Sequence, residues 1–151
     1  MGKKVAYNDR VLTQESHSYR NCRDVFLNKL ESQALEIGDF TDNTDATGYI
    51  DIDVDLPANA IVVGWKSVVA TGFTGDNTAV MQVGIVGDLN KYSGVITVSC
   101  LAAATIGAMG NTDTAMACVT KTVRVTVTGG ADFGSITTGS MTVSLYYFLA
   151  N

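Results

Sequence analysis

Residues 49–56 read YIDIDVDL, and residues 121–128 read KTVRVTVT. In the first run Ile50, Ile52, Val54 and Leu56 fall on one face of an extended chain, with Asp51, Asp53 and Asp55 on the other. In the second, Val123, Val125 and Val127 point one way and Thr122, Arg124 and Thr126 the other. Side chains alternate across a strand, so each run predicts a strand with one face buried and one in water.

Working outward, Pro57 closes the first strand and LPANA reads as a turn. Residues 60–71 (AIVVGWKSVVAT) are apolar on both faces near their start, which predicts a central strand. GFTGDNT is a turn, residues 79–86 alternate again, and Gly87-Asp88 ends them. Two more strands are expected in 92–108, one near 115–120, and a last in SMTVSLYYF at 140–148. The expected fold is all-β, a jelly-roll-like β-sandwich of about seven or eight antiparallel strands spanning residues 36–151. Residues 1–35 are expected to form an N-terminal arm. Within it Tyr19, Cys22, Phe26 and Leu30 follow helical spacing, so a short helix is expected over 18–35, capped by Ser16 or Ser18 and ended by Gly38.

Composition agrees with one β domain. The chain has 151 residues, 46% of them hydrophobic, 17% charged, with 18 Val and 18 Thr. A mean hydropathy of +0.19 is high for a soluble monomer and points to a surface covered by a partner. The net charge of −5 is unevenly spread. Residues 1–30 carry Lys3, Lys4, Arg10, Arg20, Arg23 and Lys29 against three acids, a net +3, and the remainder is net −8. A basic arm on an acidic body predicts docking on a neighbour, which makes those six cations the candidate contact residues. They are too few and too scattered to predict nucleic-acid binding.

The uncharged stretch 92–112 is long enough to span a bilayer, but its Ser, Gly, Thr and Asn content predicts buried strands and a loop instead, and no membrane partner is expected. No secretory signal is legible. Cys22, Cys100 and Cys118 form no CxxC motif. Cys100 and Cys118 are placed to pair across a hairpin, and buried free thiols are the plainer expectation.

Chemistry is sparse. The single histidine, His17, lies in the arm, and GxSxG, SxxK, HExxH, Walker A and GxGxxG motifs are all absent, so no enzyme, cofactor or catalytic residue is predicted. Asp51, Asp53 and Asp55 read as a solvated strand face rather than a glycosidase pair. From Asn43 the run NTDATG follows the start of an EF-hand loop, but Val54 stands where the bidentate Glu belongs. Asp39, Asp42 and Asp45 are the calcium candidates in loop 39–48, against an Asx-rich turn as the alternative. Trp65 is expected in the core. Tyr146, Tyr147 and Phe148 alternate faces, which makes Tyr146 and Phe148 candidate interface residues.

Residues 56–92 carry a further signal. Leu56-Pro57-Ala58, Phe73, Gly75, Thr78-Ala79, Val83-Gly84 and Gly87-Asp88 resemble a pattern of small structural proteins of tailed bacteriophages, the capsid decoration (cement, head auxiliary) proteins. Asn59 departs from it, standing where Gly is commoner. The resemblance implies a structural virion protein with no catalysis, assembled in the host cytoplasm and carried on the outer capsid. It implies a homotrimer that braces neighbouring major capsid proteins, with Tyr146 and Phe148 at the trimer interface and the arm reaching across. A phage tail, head–tail connector or spike protein is the alternative, and a carbohydrate-binding jelly-roll module the second.

Overall fold

The computed structural model describes residues 27–94, 98–109 and 122–149. Ten strands form two antiparallel sheets among them. They are β1 (Asn28–Glu31), β2 (Leu35–Glu36), β3 (Thr41–Asp42), β4 (Thr47–Asp51), β5 (Ala60–Thr74), β6 (Ala79–Gly84), β7 (Val98–Ser99), β8 (Ala104–Met109), β9 (Arg124–Gly129) and β10 (Thr138–Leu149). One sheet runs β1-β10-β5-β8 with β2 also on β10, and the other β3-β4-β9-β6-β7.

If β1 and β2 are taken as one broken strand and β3 as a short flap on β4, the pairings are nested. β6 pairs β7, β5 pairs β8, β4 pairs β9, and β1 with β2 pairs β10. This is one long hairpin wound into two sheets, the jelly-roll arrangement that the sequence led us to expect. The strand expected near 115–120 lies outside the described residues.

The core forms where the alternating faces meet. Val123, Val125 and Val127 have no exposed surface, and Met141, Val143, Leu145, Phe73, Met81 and Val83 meet them. Trp65 joins them at 4% exposure. Two expectations need correction. Val54 is 55% exposed, because β4 ends at Asp51 and the chain turns before alternation can carry Val54 inward. Residues 28–31 are a strand rather than the C-terminal half of a helix. Leu30 and Ser32 are buried between exposed Lys29, Glu31 and Gln33, a period-two pattern lying on Leu145 and Val143. Completing the β10 ladder outweighs the weak helix propensity of a segment holding Asn28 and Ser32. Residues 18–26 of that expected helix lie outside the described residues.

β5 has 15 residues against the 12 of β10, and the register slips at three places along the pair. Each slip is a bulge that sets two residues of β5 opposite one of β10. At the slip between Tyr146 and Tyr147, Val63 is the extra residue: Leu145 pairs with Trp65, Tyr146 with Gly64 and Tyr147 with Val62. The bulge keeps both Trp65 and Val62 facing the core.

Turns follow the same local rules. Asn59, where glycine would be commoner, sits at φ 67°, a left-handed conformation that Asn tolerates better than most residues. At the far end of the sandwich Phe40 packs edge-on to Phe73 (5.9 Å, 79°) and tilted against Phe133 (6.0 Å, 39°). A Cβ on Gly48 would strike the Phe133 ring, and one on Gly139 would strike Phe73.

Candidate interaction surface

The outer face of the sheet built from β1, β10, β5 and β8 is the most distinctive surface. Its centre is polar. Glu31 Oε2 accepts from Lys29 Nζ (2.8 Å) and from Ser144 Oγ (2.8 Å), and Lys66 lies opposite Ser144 in the ladder. The Lys29 ammonium and the Ser144 hydroxyl hold the Glu31 carboxyl below its usual range, and Glu31 in turn raises Lys29.

Toward the C-terminal end of β10 this face turns apolar. Tyr146 and Phe148 are half-buried on it, opposite Gly64 and Ile61. Tyr147, one step between them, packs against the core. Half-buried Ile61 and Val63 share the corner, with Leu149 (46% exposed) at its rim and Leu27 (52% exposed) leading into β1. Tyr146 and Phe148 were singled out from the sequence; Ile61, Val63, Leu27 and Leu149 were not. The signal for Ile61 and Val63 was the two-faced apolarity of AIVVGW. Full burial of side chains this size stabilises by roughly 1.5–3 kcal/mol each, so the corner is a natural place for a partner to sit.

The opposite sheet presents a different chemistry. Arg124 donates from Nε and Nη2 to the two Asp51 oxygens (2.7 Å each), and its guanidinium lies 3.8 Å from the Tyr49 ring centroid. Beneath this cover Thr126 is 2% exposed although its side chain faces outward, and its hydroxyl has no hydrogen-bond partner. Asp53 and Asp55 are exposed, with Asp55 accepting from Thr122 Oγ1 at 2.6 Å.

The calcium candidates are occupied by their own backbone. Asp42 accepts from Thr44 N–H (2.7 Å), Asp45 from Thr47 N–H (2.6 Å) and Asp39 from Glu36 N–H (2.9 Å). These are Asx-type turn and cap contacts. Among the described residues no three His, Cys, Asp or Glu side chains gather in a way that could hold a metal. Cys100 is a fully buried free thiol whose pKa is pushed up to about 12 by burial. Among the described residues no helix is long and apolar enough to cross a membrane. Of the six candidate cations, Lys29 is exposed and ion-paired to Glu31. Lys3, Lys4, Arg10, Arg20 and Arg23 lie outside the described residues, as do Cys22 and Cys118.

Two stacked sheets with nested pairing and one partly apolar outer face can be compared with known architectures. A chain of the cyanophage Pam1 capsid asymmetric unit superposes with a TM-score of 0.54 at 21% identity, over 83% of this chain and 86% of that one. The shared fold is one that occurs in a phage capsid. A chain of the acid-stable capsid of Helicobacter pylori bacteriophage KHP30 aligns with a TM-score of 0.49 at 19% identity, over 83% of this chain and 95% of that one. At 21% identity the likeness to the Pam1 chain is one of fold. The sequence matches no protein-family model and no curated protein.

The residues that carried the sequence resemblance are structural ones. Leu56 is 2% exposed ahead of the Asn59 turn, Phe73 and Ala79 are fully buried, and Gly75 and Gly87 adopt φ of 116° and 88°. That pattern therefore specifies turns and core of this sandwich.

Proposed function

We propose that the chain is a structural virion protein of a phage, a capsid decoration protein that assembles as a homotrimer on the outer shell and braces neighbouring major capsid proteins. The observation that carries this reading is the jelly-roll likeness to a phage capsid chain, spanning most of both chains. The apolar corner of Ile61, Val63, Tyr146 and Phe148 supports it, because a surface of that kind is stabilised by burial against further copies. The mechanism is mechanical: many modest contacts, repeated over a shell, add as avidity. No reacting group takes part.

The test is addition of the purified chain to phage shells that lack it, followed by cryo-EM and a copy count. Hundreds of copies in threefold clusters on the outer surface are expected. A dozen or fewer copies, confined to a vertex or tail, would replace this reading with a connector or tail component.

A further inference from the structure

One side of the sandwich is open. The strand β1 is the edge of its sheet, and on the facing sheet β3 covers β4 only at Gly48 and Tyr49, leaving Ile50 and Asp51 paired with β9 on one side and uncovered on the other. Between these two edges lies a groove of about 290 Å³, lined by Ser32, Gln33, Leu35, Ile50, Ile52 and Asp53 among others. One wall is the stretch 32–35 that follows the β1 edge, the other the uncovered end of β4 with Ile52 and Asp53 after it, and open strand edges are templates for an added strand.

The stretch of chain that lines the groove is acidic. From Leu30 to Trp65 the sequence contains no Lys or Arg. Residues 31–55 hold Glu31, Glu36, Asp39, Asp42, Asp45, Asp51, Asp53 and Asp55, eight of the chain's 15 acids, and every one is exposed. Arg124 neutralises Asp51 and Lys29 neutralises Glu31, which leaves a net negative belt along this stretch, with Asp39 and Asp53 lining the groove itself.

We infer that this groove receives an extended basic segment, namely residues 1–26 of a second copy of the chain. That segment holds Lys3, Lys4, Arg10, Arg20 and Arg23, half of the chain's ten cations, against Asp9, Glu15 and Asp24. Extended, 26 residues reach roughly 90 Å, enough to cross to a neighbouring molecule. The segment joins β1 at Leu27, and the residues just before it, CRDVFL at 22–27, contain no glycine to form the two-residue hairpin that would return it to its own edge. Charge sets the encounter, and pairing of the segment to the β1 or β4 edge sets the register. This linkage does not depend on the protein's place in a virion.

The test mixes isotopically heavy and light full-length protein and applies a carbodiimide, which couples ammonium to carboxylate at zero length. Mass spectrometry is expected to find heavy–light links from Lys3 or Lys4 to Glu36, Asp39, Asp53 or Asp55. They should fall about tenfold in Arg20→Glu/Arg23→Glu protein and recover in part when Asp53→Lys is added, as for opposed charges at an interface. Circular dichroism of each variant checks that the sandwich is intact. Links confined to same-isotope pairs would overturn the second-copy assignment, and absence of any link to this belt at low salt would overturn the groove itself. Shell binding is read separately, so failure here leaves the capsid reading standing and the reverse holds equally.

Discussion

Replacing Gly48 by alanine tests how the Phe cluster closes the sandwich. Gly48 is buried in β4, and an added Cβ would overlap Cζ, Cε1 and Cε2 of Phe133. Phe133 is 4% exposed and cannot retreat freely, because Phe40 lies behind it at 6.0 Å between centroids. The ring must shift into occupied space, an overpacking that costs about 1–3 kcal/mol. For a chain of this length that lowers Tm by about 2–12 °C. A leucine lacks the Cε and Cζ atoms that collide, so Phe133→Leu removes the clash while keeping an apolar side chain. In the Phe133→Leu background Gly48→Ala should therefore cost close to nothing. Chemical denaturation of the four proteins of this cycle gives the coupling energy directly, expected at about 1–3 kcal/mol. An equal cost of Gly48→Ala in both backgrounds would refute the argument, since the penalty would then come from the backbone and not from the ring.

Four further outcomes are expected. Thr126→Val replaces a buried hydroxyl that has no partner with a methyl group of similar shape, and should raise stability by about 1 kcal/mol in thermal or urea unfolding; destabilisation would mean the hydroxyl is satisfied after all. Phe148→Glu or Tyr146→Lys should leave the circular dichroism spectrum unchanged while abolishing self-association or shell binding, read by light scattering. In a Cys22→Ser/Cys118→Ser background, Cys100 should react with a disulfide reagent at neutral pH no faster than global unfolding allows, because its thiol is buried and its pKa is raised to about 12. Stability should fall on acidification below about pH 4.5, near the unpaired carboxylate range. Glu31, Asp45 and Asp76 are held below their ordinary values by Lys29, by Thr47 and by the Gly130 N–H respectively. Their unfolded forms bind protons first, so the stability they add is present above the unfolded pKa and is lost as pH drops through the folded one. Asp76→Asn should flatten that slope in pH-dependent melts.

The fold was legible wherever a strand buried one face and kept an unbroken period of two. Val123, Val125 and Val127 show this, because β9 is central in its sheet and pairs on both sides with no break in register. Legibility failed where a strand stopped early or carried an extra residue. Val54 belongs to the pattern YIDIDVDL and still faces water, because pairing ends at Asp51. In β5 three bulges break the alternation, so the residues that complete the apolar corner, Ile61 and Val63, could not be assigned to a face by counting. Leu30 fits the helical spacing that begins at Tyr19, and only the neighbouring β10 decides for a strand at residues 28–31. Phe40 and Phe133 stand alone in loop sequence, and nothing local announces that they meet. Of the candidate surface, Tyr146 and Phe148 were accessible because three consecutive aromatics cannot share one side of a strand.

The nested pairing has a consequence for how the protein is made. The strand β10 is hydrogen-bonded to β1 and β2 on one side and β5 on the other, joining residues up to 119 positions apart. One whole sheet therefore lacks a middle strand until residues 138–149 have been synthesised. Among the described residues the pairings between consecutive strands are β3 with β4 and β6 with β7, whereas the others wait on distant segments. A chain of such high contact order is expected to fold slowly, with its valine-rich edges open to wrong partners in the meantime. Completion is then sharply timed, with the aromatic end of β10 arriving after the other nine strands and presenting Tyr146 and Phe148 only once the sandwich behind them is whole.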